Sequence, residues 1–439
     1  MNKAFLIIII NILVCFHGKG QGLFSWAKGL GGSEREISCS VAVDASGNVF
    51  STGTFSGTAD FDPGPGIYTL TPNGGYDMYV SKLDANGNFM WAKQIGGTLT
   101  DQGMSIAVDP SGNVCIVGFF SSTVDFDPGP AVLTFSANAD VVIVKLNPSG
   151  NLIWAKQFKS PTWDWDYPYG ISIDQTGNVY STGYFSKTVD FDPGPGTYTL
   201  TASGLTDVFV SKLDVNGSFV WAKQFAGNGL DESHAIAVDK LGNVYTTGRF
   251  GSITDFDPGL GFFPLAANGG YDAFLCKLDS SGNFAWAMQF GNWDYDVGWS
   301  VAVDAQSNVY ATGFFGDPVD FDPGISVSTF TTNVGDRDIF ITKFDTYGTF
   351  VWAKQIGNFG YEVSFGICLD DKKNVYTTGI YGNTDFDPGP GKDSLQAYGD
   401  HQVFVSVLDS MGNYVWAKRL GGDRAYGIAL DASRNVHNR

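Results

Sequence analysis

A five-residue segment, Asp-Phe-Asp-Pro-Gly, occurs six times in this chain, and each copy begins 65 residues after the previous one. The copies begin at Asp60, Asp125, Asp190, Asp255, Asp320 and Asp385. A repeated unit of this length cannot bury its apolar face by itself, so the copies must stack or close into a ring. The repeat therefore predicts one large domain whose function lies on a repeated surface.

The composition indicates a compact protein. Of the 439 residues, 43% are hydrophobic, 15% are aromatic and only 16% are charged, so the chain has enough apolar surface to form a core. The formal net charge is −19, and such a surface repels the phosphates of nucleic acids and of anionic membranes. We therefore expect no nucleic-acid partner, while cations, neutral glycans and proteins remain as candidates.

The first 20 residues are typical of a secretory signal peptide. Lys3 precedes a mostly apolar run that ends at Phe16, and small residues follow it. The run is short for a bilayer-spanning helix, which makes a membrane anchor the weaker alternative. The sequence therefore predicts a signal peptide at 1–20 and a single domain at 21–439. We expect this domain to be a monomer, secreted or held at the cell surface, without membrane insertion of the mature chain.

Each repeat has the pattern of two β-hairpins, which is clearest in the third copy. Residues 170–174 and 179–185 are strand-like runs around a turn, and residues 207–214 and 219–225 form a second such pair. No long segment shows the 3.6-residue period of a helix. Four antiparallel strands per repeat, arranged radially, predict an all-β propeller of four-stranded blades. A linear β-solenoid is the alternative, although its units are usually much shorter.

A tryptophan marks the last strand of each unit, most often within Trp-Ala-Lys. The seven positions are Trp26, Trp91, Trp154, Trp221, Trp286, Trp352 and Trp416. We interpret them as packing between neighbouring units, with a sugar-stacking ring as the alternative. Six full units lie between the first and the last of them, and the remaining pieces at the two termini could complete a seventh blade. No third strand is recognised for that blade, so either it is incomplete or the chain is a fragment.

The hairpins resemble the SBBP repeat, a seven-bladed β-propeller repeat of secreted bacterial proteins. The resemblance rests on Ile-Ala-Val-Asp at 106–109, Gly-Asn-Val-Tyr at 177–180, Thr-Gly at 182–183 and Asp-Val-Phe-Val-Ser-Lys-Leu-Asp at 207–214. It covers nearly all of the chain after the signal peptide. It implies a propeller fold and a location outside the cytoplasm, but no particular activity, because members of the family share no single catalytic site.

The two aspartates of each Asp-Phe-Asp-Pro-Gly copy are candidate metal ligands. Calcium takes several oxygen ligands in flexible geometry, and two carboxylates two residues apart can face one ion. The candidates are Asp60, Asp62, Asp125, Asp127, Asp190, Asp192, Asp255, Asp257, Asp320, Asp322, Asp385 and Asp387. The structural alternative is that Pro-Gly forms a turn and the Phe anchors it in the core. A turn does not require the first Asp of each copy, so calcium binding is best tested there.

A second set of acids lies in the linkers that enter the inner strands, eight residues before the Asp that ends each strand. These acids are Glu36, Asp101, Asp166, Asp231, Asp296, Glu362 and Asp423. In a propeller these linkers reach the same face as the Asp-Phe-Asp-Pro-Gly loops. The sequence therefore predicts a ring of ligand-binding acids around one mouth of the central channel. The structural alternative is that backbone amides of each linker bind these carboxylates.

The third linker is the least regular segment of the chain. Trp163, Trp165, Tyr167 and Tyr169 lie within ten residues. Aromatic clusters of this kind are typical of protein-binding hot spots and of sugar-stacking surfaces, which makes the four residues candidate ligand contacts. The alternative is that they fill a wider gap between two blades.

No catalytic residue is predicted. The histidines His17, His234, His401 and His437 are scattered along the chain, so neither a zinc cluster nor a catalytic triad can be assembled. The acids recur almost equally in every unit, whereas catalysis needs one asymmetric constellation. We predict a non-catalytic binding or structural module for a protein or glycan ligand, with Ca²⁺ as the candidate cofactor. The alternative is a secreted polysaccharide-degrading enzyme with a pair of carboxylates at the channel.

Overall fold

Seven antiparallel sheets surround a central channel in the computed structural model of this chain. The structure describes residues 11–17, 23–162, 166–316, 318–332, 336–357, 360–397, 401–422 and 424–438. The first strands of the seven sheets contact one another in order, and the seventh contacts the first, so the circle is closed. The described residues contain no helix, and therefore none long and apolar enough to cross a membrane. The prediction of an all-β propeller with seven blades is confirmed.

The strands follow the repeat. The N-terminal pair is β1 (Asn11–His17) and β2 (Leu23–Gly32). Blade 1 has β3 (Glu36–Val43), β4 (Val49–Phe55), the short β5 (Ala59–Asp60) and β6 (Thr69–Leu70), β7 (Asp77–Leu83) and β8 (Phe89–Ile95). Blade 2 has β9 (Gln102–Val108), β10 (Val114–Asp125), β11 (Thr134–Leu146) and β12 (Leu152–Phe158). Blade 3 has β13 (Tyr167–Ile173), β14 (Val179–Phe185), β15 (Thr188–Asp190), β16 (Thr199–Thr201), β17 (Asp207–Leu213) and β18 (Phe219–Gly227).

The second half repeats this order. Blade 4 has β19 (Glu232–Val238), β20 (Val244–Phe250), β21 (Ile253–Asp255), β22 (Pro264–Ala266), β23 (Asp272–Leu278) and β24 (Phe284–Phe290). Blade 5 has β25 (Val297–Val303), β26 (Val309–Phe315), β27 (Val319–Asp320), β28 (Thr329–Phe330), β29 (Asp338–Phe344) and β30 (Phe350–Ile356). Blade 6 has β31 (Val363–Leu369), β32 (Val375–Tyr381), β33 (Thr384–Asp385), β34 (Ser394–Leu395), β35 (Gln402–Leu408) and β36 (Tyr414–Leu420). The last pair is β37 (Ile428–Leu430) and β38 (Val436–Asn438).

The two middle strands of a blade form its core. Every residue of β4 and of β7 is buried, whereas the outer strand β8 has exposed and half-buried positions. A middle strand is covered on both faces by the neighbouring blades, so all of its positions are buried. Its buried polar side chains are hydrogen-bonded, as Ser51 and Ser81 are to each other (2.7 Å). The hydrophobic core is therefore a series of layers between blades, and each layer draws residues from two adjacent repeats.

Blade 7 is assembled from both ends of the chain. Its sheet has the order β37, β38, β1, β2, so β1 is the third strand and lies between β38 and β2. Cys15 of β1, for example, pairs with Trp26 on one side and with His437 on the other. The prediction that no third strand is available for this blade is therefore wrong. A short apolar run fits a buried strand as well as the core of a signal peptide, and periodicity cannot separate the two. The signal peptide itself stays a prediction.

The tryptophans of the outer strands join neighbouring blades. Trp91 Nε1 donates a hydrogen bond to Pro148 O (3.1 Å), and Trp286 Nε1 donates to Thr346 O (3.2 Å). Both acceptors lie in the last turn of the following blade. The glycine of such a turn lies against the indole, because a Cβ atom on Gly87 would come within 3.0 Å of Trp26. The structure thus places these residues where packing between units requires them.

Each Asp-Phe-Asp-Pro-Gly segment forms part of a short hairpin, and in blades 1 and 4 this hairpin also pairs with the last strand of the preceding blade. β5 pairs with β6 and with the end of β2 in the preceding blade, and β21 pairs in the same way with β22 and β18. The Phe of every copy is at most 1% exposed: Phe61, Phe126, Phe191, Phe256, Phe321 and Phe386. Phe61 packs on Phe55 and Tyr79, with ring centroids 5.4 and 5.0 Å apart. The segment therefore helps to hold neighbouring blades together through its buried Phe and, in blades 1 and 4, through strand pairing.

Candidate functional site

We call the end of the propeller at which the linkers enter the inner strands the linker face. The short Asp-Phe-Asp-Pro-Gly hairpins lie on the same face, and the Asp-x-x-Gly turns lie at the opposite end because each strand runs the full height of a blade. The linker acids and the aspartates of the short hairpins therefore lie close together on the linker face. Thr254, which precedes the Asp255 segment, donates to Asp231 Oδ2 (3.0 Å). The linker face is therefore where the predicted site residues have to be examined.

The paired aspartates of each hairpin are hydrogen-bonded to its own backbone. Asp60 Oδ1 accepts from the amides of Asp62 (3.0 Å) and Tyr68 (2.9 Å), and Asp62 Oδ1 accepts from the amide of Gly64 (2.7 Å). The other five copies show the same three contacts. The first Asp of each copy thus closes its hairpin, a role that the sequence did not reveal.

The same hairpins supply too few ligands for a complete calcium shell by themselves. Each copy brings two carboxylates together, and the described residues contain no cluster of three or more His, Cys, Asp or Glu side chains able to hold a metal ion. Calcium usually takes six to eight oxygens. A bound ion would therefore need water or backbone carbonyls as further ligands, and calcium binding stays a prediction.

The linker acids are buried and bind backbone amides. Asp101 accepts from the amides of Gly97 (2.7 Å) and Ser121 (2.9 Å), and Asp296 accepts from those of Asn292 and Gly316 (both 3.0 Å). Glu36, Asp166, Asp231 and Glu362 have equivalent contacts. All six are at most 2% exposed, so they tie the linkers to the blades. Asp423 lies outside the described residues. Direct ligand contact by these acids stays a prediction.

Burial has a chemical consequence for these carboxyl groups. It raises the pKa of Asp101 to about 6, those of Asp231 and Glu362 to about 7, and that of Asp296 to about 8. The negative charge of a second buried acid, from the preceding blade, acts in the same direction. These second acids are Asp77, Asp207, Asp338 and Asp272. The junctions between blades therefore hold groups that gain or lose protons near neutral pH.

A β-bulge in each inner strand directs one side chain towards the channel. The pairing between first and second strands skips one residue in six blades, always three positions after the linker acid. The skipped residues are Cys39, Met104, Tyr169, His234, Trp299 and Phe365, and Tyr426 holds the equivalent position in blade 7. Together they border a cavity of about 180 Å³. Bulges re-aim side chains in this way at many functional sites. We call these seven side chains the bulge ring.

Five consecutive members of the bulge ring are aromatic or heteroaromatic and touch one another. His234 stacks on Trp299 at 4.3 Å and meets the ring of Tyr169 edge-on at 4.9 Å. Phe365 lies 5.4 Å from Trp299 and 5.2 Å from Tyr426. The indole Nε1 of Trp299 is buried and has no hydrogen-bond partner among the described residues. The channel mouth thus combines ring surfaces with an available polar donor.

Blade 4 adds a charged group that the other blades lack. Glu232 Oε2 accepts from Arg249 Nε (3.0 Å), with Arg249 Nη2 at 2.9 Å, and lies 3.3 Å from Nε2 of His234. Burial works against ionisation of Glu232, yet the hydrogen bonds from His234 and Arg249 outweigh it and lower the pKa below its usual value. Arg249 also covers the ring of Tyr271 at 4.7 Å. This constellation is asymmetric, unlike the repeated acids.

The structure divides the aromatic residues of the third linker. Tyr169 belongs to the bulge ring, and Tyr167 packs on Tyr169, Phe119 and Tyr184 at 5.0, 5.0 and 5.9 Å. Burial raises the pKa of both Tyr167 and Tyr169 above that of a free tyrosine. Trp163 and Trp165 lie outside the described residues. Tyr169 therefore lies at the channel mouth, Tyr167 packs beside it, and ligand contact by these two residues stays a prediction.

Sequence reasoning missed the rest of the bulge ring, although a signal for it exists. The second strands of blades 1 to 6 each place a glycine opposite the bulge, and in five of them this glycine follows a threonine. A Cβ atom on Gly183 would lie 2.1 Å from Tyr167 O, and one on Gly248 would lie 1.9 Å from Glu232 O. An isolated glycine within a strand indicates a bulge or a close approach of another backbone. The residue facing each of these glycines could have been found from that pattern.

The closed circle of blades defines this protein as a seven-bladed β-propeller. The family model of the SBBP beta-propeller repeat matches residues 91–118, 153–184 and 220–249, so the chain carries SBBP-type repeats and the resemblance is confirmed. An uncharacterized WD repeat-containing protein of Acanthamoeba polyphaga mimivirus is 24% identical over 94% of this chain and 35% of its own length. The regulatory protein FlaEY of Caulobacter vibrioides is 23% identical over 66% of this chain and 30% of its own length. The chain spans about a third of each relative.

Solved structures with similar folds are more distant. The WD40 domain of Neurospora crassa Pan2 matches with a TM-score of 0.44 and 9% identity, over 91% of this chain and 88% of that chain. Sqt1 from Chaetomium thermophilum matches with a TM-score of 0.42 and 13% identity, over 90% and 75%. A protein of unknown function from Bacteroides caccae matches with a TM-score of 0.37 and 10% identity, over 86% and 98%. The sheet topology of the chain itself defines the fold.

Proposed function

We propose that this chain is a non-catalytic binding or structural module, secreted or exposed at the cell surface, whose protein or glycan ligand contacts the bulge ring. The bulge ring carries this proposal. The described linker acids and hairpin aspartates are engaged in holding backbone, whereas the side chains that differ from blade to blade meet at the channel mouth. Aromatic residues in such a position supply much of the contact energy at binding sites. The location outside the cytoplasm is proposed from the resemblance to the SBBP repeats of secreted proteins.

Replacing two aromatic members of the bulge ring, the half-buried Trp299 and the exposed Tyr426, should abolish most of the binding. We expect the double variant Trp299→Ala, Tyr426→Ala to bind at least ten-fold more weakly to ligands selected with the unmodified protein, since aromatic hot spots are worth about 2 kcal/mol or more. The ligands would be selected from a glycan array and from a random-peptide display library, and affinities measured by calorimetry. Circular dichroism and melting temperature would show that the variant is folded.

The matched control lies at the opposite end of the propeller. Tyr347 and Met411 are 83% and 71% exposed in two Asp-x-x-Gly turns, and the variant Tyr347→Ala, Met411→Ala should keep full affinity. Equal losses in the two variants would contradict a binding site at the channel mouth.

The enzyme alternative can be checked with the same ligands. A glycosidase needs two carboxyl groups flanking one bond, and Glu232, the asymmetric acid described above, is held by Arg249 and His234. We therefore expect glycans selected by the array to remain intact after prolonged incubation. Release of new reducing ends that stops with Glu232→Gln would favour a polysaccharide-degrading enzyme instead.

Calcium binding to the short hairpins should appear as thermal stabilisation. If each hairpin binds calcium with a dissociation constant of about 1 mM, as extracellular modules often do, 10 mM calcium would add about 1.4 kcal/mol per occupied hairpin to the free energy of unfolding. We expect the melting temperature to rise in calcium chloride and to fall back in excess chelator. Magnesium at equal ionic strength is the control, since its rigid octahedral demands do not fit these loops. An unchanged melting temperature, together with no bound metal in elemental analysis, would contradict calcium binding by these hairpins.

A further inference from the structure

Arg337 on the linker face differs from the ion-paired arginines of this chain because it has no acidic partner among the described residues. Arg249 lies 2.9 Å from Glu232, and Arg434 at the opposite end lies 2.6 Å from Asp371. Arg337 forms no ion pair with any acidic side chain that the structure describes. A half-buried cation without a counter-charge is unfavourable unless an anion approaches it. This guanidinium is therefore a candidate anion receptor.

Aromatic rings hold the Arg337 guanidinium in a fixed orientation. Its central carbon lies 4.4 Å from the ring centroid of Phe314, 4.8 Å from that of Tyr361 and 5.9 Å from that of Tyr295. One terminal nitrogen donates to the Tyr361 hydroxyl (2.7 Å). A guanidinium has five N–H groups, so most of its donors have no acceptor within the described part of the chain. Cation–π contacts of this kind orient the group without neutralising it.

Asp336, directly before Arg337, forms no ion pair with it, and the two buried acids beside Arg337 have other partners. Asp338 follows it in the chain but accepts from Gln355, and Glu362, whose amide donates to Arg337 O, accepts from the Thr384 hydroxyl (2.7 Å). Both carboxyl groups are at most 2% exposed. The buried acids therefore belong to the junctions between blades and leave the outer surface around Arg337 to a ligand.

Further polar and aromatic groups converge on the same place between blades 5 and 6. The ring of His401 lies 5.6 Å from that of Tyr361, and its buried Nδ1 has no hydrogen-bond partner among the described residues. Trp293 and Tyr295 in the adjoining linker are 75% and 44% exposed. The arrangement occurs once, because the residues equivalent to Arg337 in the other five units are Tyr76, Ala139, Thr206, Tyr271 and His401. We call Arg337, Tyr361, Tyr295 and His401 the arginine subsite.

We propose that the arginine subsite binds an aspartate or glutamate side chain of a protein that docks on the linker face. The planar fork of arginine matches a carboxylate with two parallel hydrogen bonds, and Arg, Tyr and Trp are the residues enriched at protein interfaces. An acidic polysaccharide is disfavoured because the net charge of −19 repels a polyanion at long range. A single carboxylate within an otherwise neutral or basic segment meets the subsite only at short range.

The subsite rests on the proposed function, since the docked protein would be the ligand of the bulge ring, and one peptide selection can test both. The probes are peptides selected on the full-length chain from a random display library. We expect them to contain an Asp or Glu whose replacement by Asn or Gln weakens binding at least ten-fold. The same replacement should cost less than two-fold when measured against Arg337→Gln, because the partner of that carboxylate is then gone. Arg337→Lys should restore little, and Arg434→Gln should bind like the unmodified chain.

Two results would overturn the inference about the arginine subsite without contradicting the proposed function, and a third result would contradict both. Peptides that bind Arg337→Gln as tightly as the unmodified chain, yet lose affinity in Trp299→Ala, would place the ligand at the bulge ring without the arginine subsite. Glucuronate oligosaccharides that bind the chain and not Arg337→Gln, while selected peptides show no dependence on an acid, would assign the subsite to a glycan. Peptides insensitive to both variants would contradict the proposed function as well.

Discussion

Lowering the pH from 8 to 5 should raise the melting temperature of this propeller. Burial raises the folded-state pKa of Asp101 to about 6, of Asp231 and Glu362 to about 7 and of Asp296 to about 8, whereas an unfolded chain has values near 4. Between these limits the folded chain holds protons that the unfolded chain releases, so stability falls as pH rises and increases as pH falls. At about 1.4 kcal/mol per pKa unit, each of these groups favours the folded state at low pH by an amount on the order of a few kcal/mol.

The gain should reverse below about pH 4, where carboxylates with lowered pKa values become protonated. Burial opposes the ionisation of Asp109, but the hydrogen bonds from Asn113 and Lys145 prevail and lower its pKa. Such groups stabilise the fold only while ionised. Melting curves by calorimetry in constant ionic strength would trace the maximum near pH 5.

Two single variants separate the effect of the buried acids on the pH dependence of melting from the effect of the overall charge. Asp296→Asn should flatten the slope of melting temperature against pH, because the group with the highest pKa in this set no longer titrates. Glu34→Gln removes the same charge from an exposed position and should leave the slope unchanged. If both variants shift the profile equally, general charge repulsion rather than burial at the blade junctions explains the pH dependence.

Removing residues 1–20 should destabilise the ring, because β1 is the third strand of blade 7. It forms seven residue pairs with β2 and three with β38. At about 1 kcal/mol net per backbone hydrogen bond, we expect a loss of several kcal/mol, and a fall in melting temperature on the order of 5 °C or more. The shortened chain would also present two open strand edges, which promote association.

A shorter deletion and an added peptide serve as controls. Deleting residues 1–10 keeps β1 and should leave the melting temperature unchanged. A synthetic peptide with the sequence of residues 11–17 should restore the melting temperature of the chain that lacks 1–20 by strand addition, and the same peptide with Leu13→Pro should not. If the chain without 1–20 melts like the full chain, β1 is dispensable. The intact mass of exported protein would then show whether a signal peptidase removes the segment.

The blades could be predicted from the sequence because nearly the same turn and strand patterns recur in every repeat. Asp-x-x-Gly turns, the strand-like runs between them and the tryptophan of the outer strand recur at equivalent positions. Each of these features indicates a particular local structure. The third strand of blade 7 could not be predicted, since its apolar residues suit a signal peptide equally well. Only the pairing with β2 and β38, which are far apart in sequence, distinguishes the strand.

The candidate site was harder to predict because repetition draws attention to the residues that every blade shares. The acids at Asp60, Asp101 and their equivalents recur because every blade needs them to hold backbone amides. A ligand needs an asymmetric surface, and its residues are therefore the ones that break the repeat, such as His234, Trp299 and Arg337. These residues contact side chains of neighbouring blades, which are distant in sequence, so no local pattern predicts the contacts. The glycine of each Thr-Gly pair was the usable clue, since it marks where the inner strand bulges.

The bulge also makes this architecture easy to diversify. A bulged residue takes no part in the pairing between the first and second strands, so its identity can change without disturbing the strand register. The seven positions already hold cysteine, methionine, tyrosine, histidine, tryptophan and phenylalanine, a range of size and polarity that no core position of this chain shows across its repeats. The repeated blades provide a constant scaffold, and substitutions at these seven neighbouring positions can change the recognition surface that the scaffold carries.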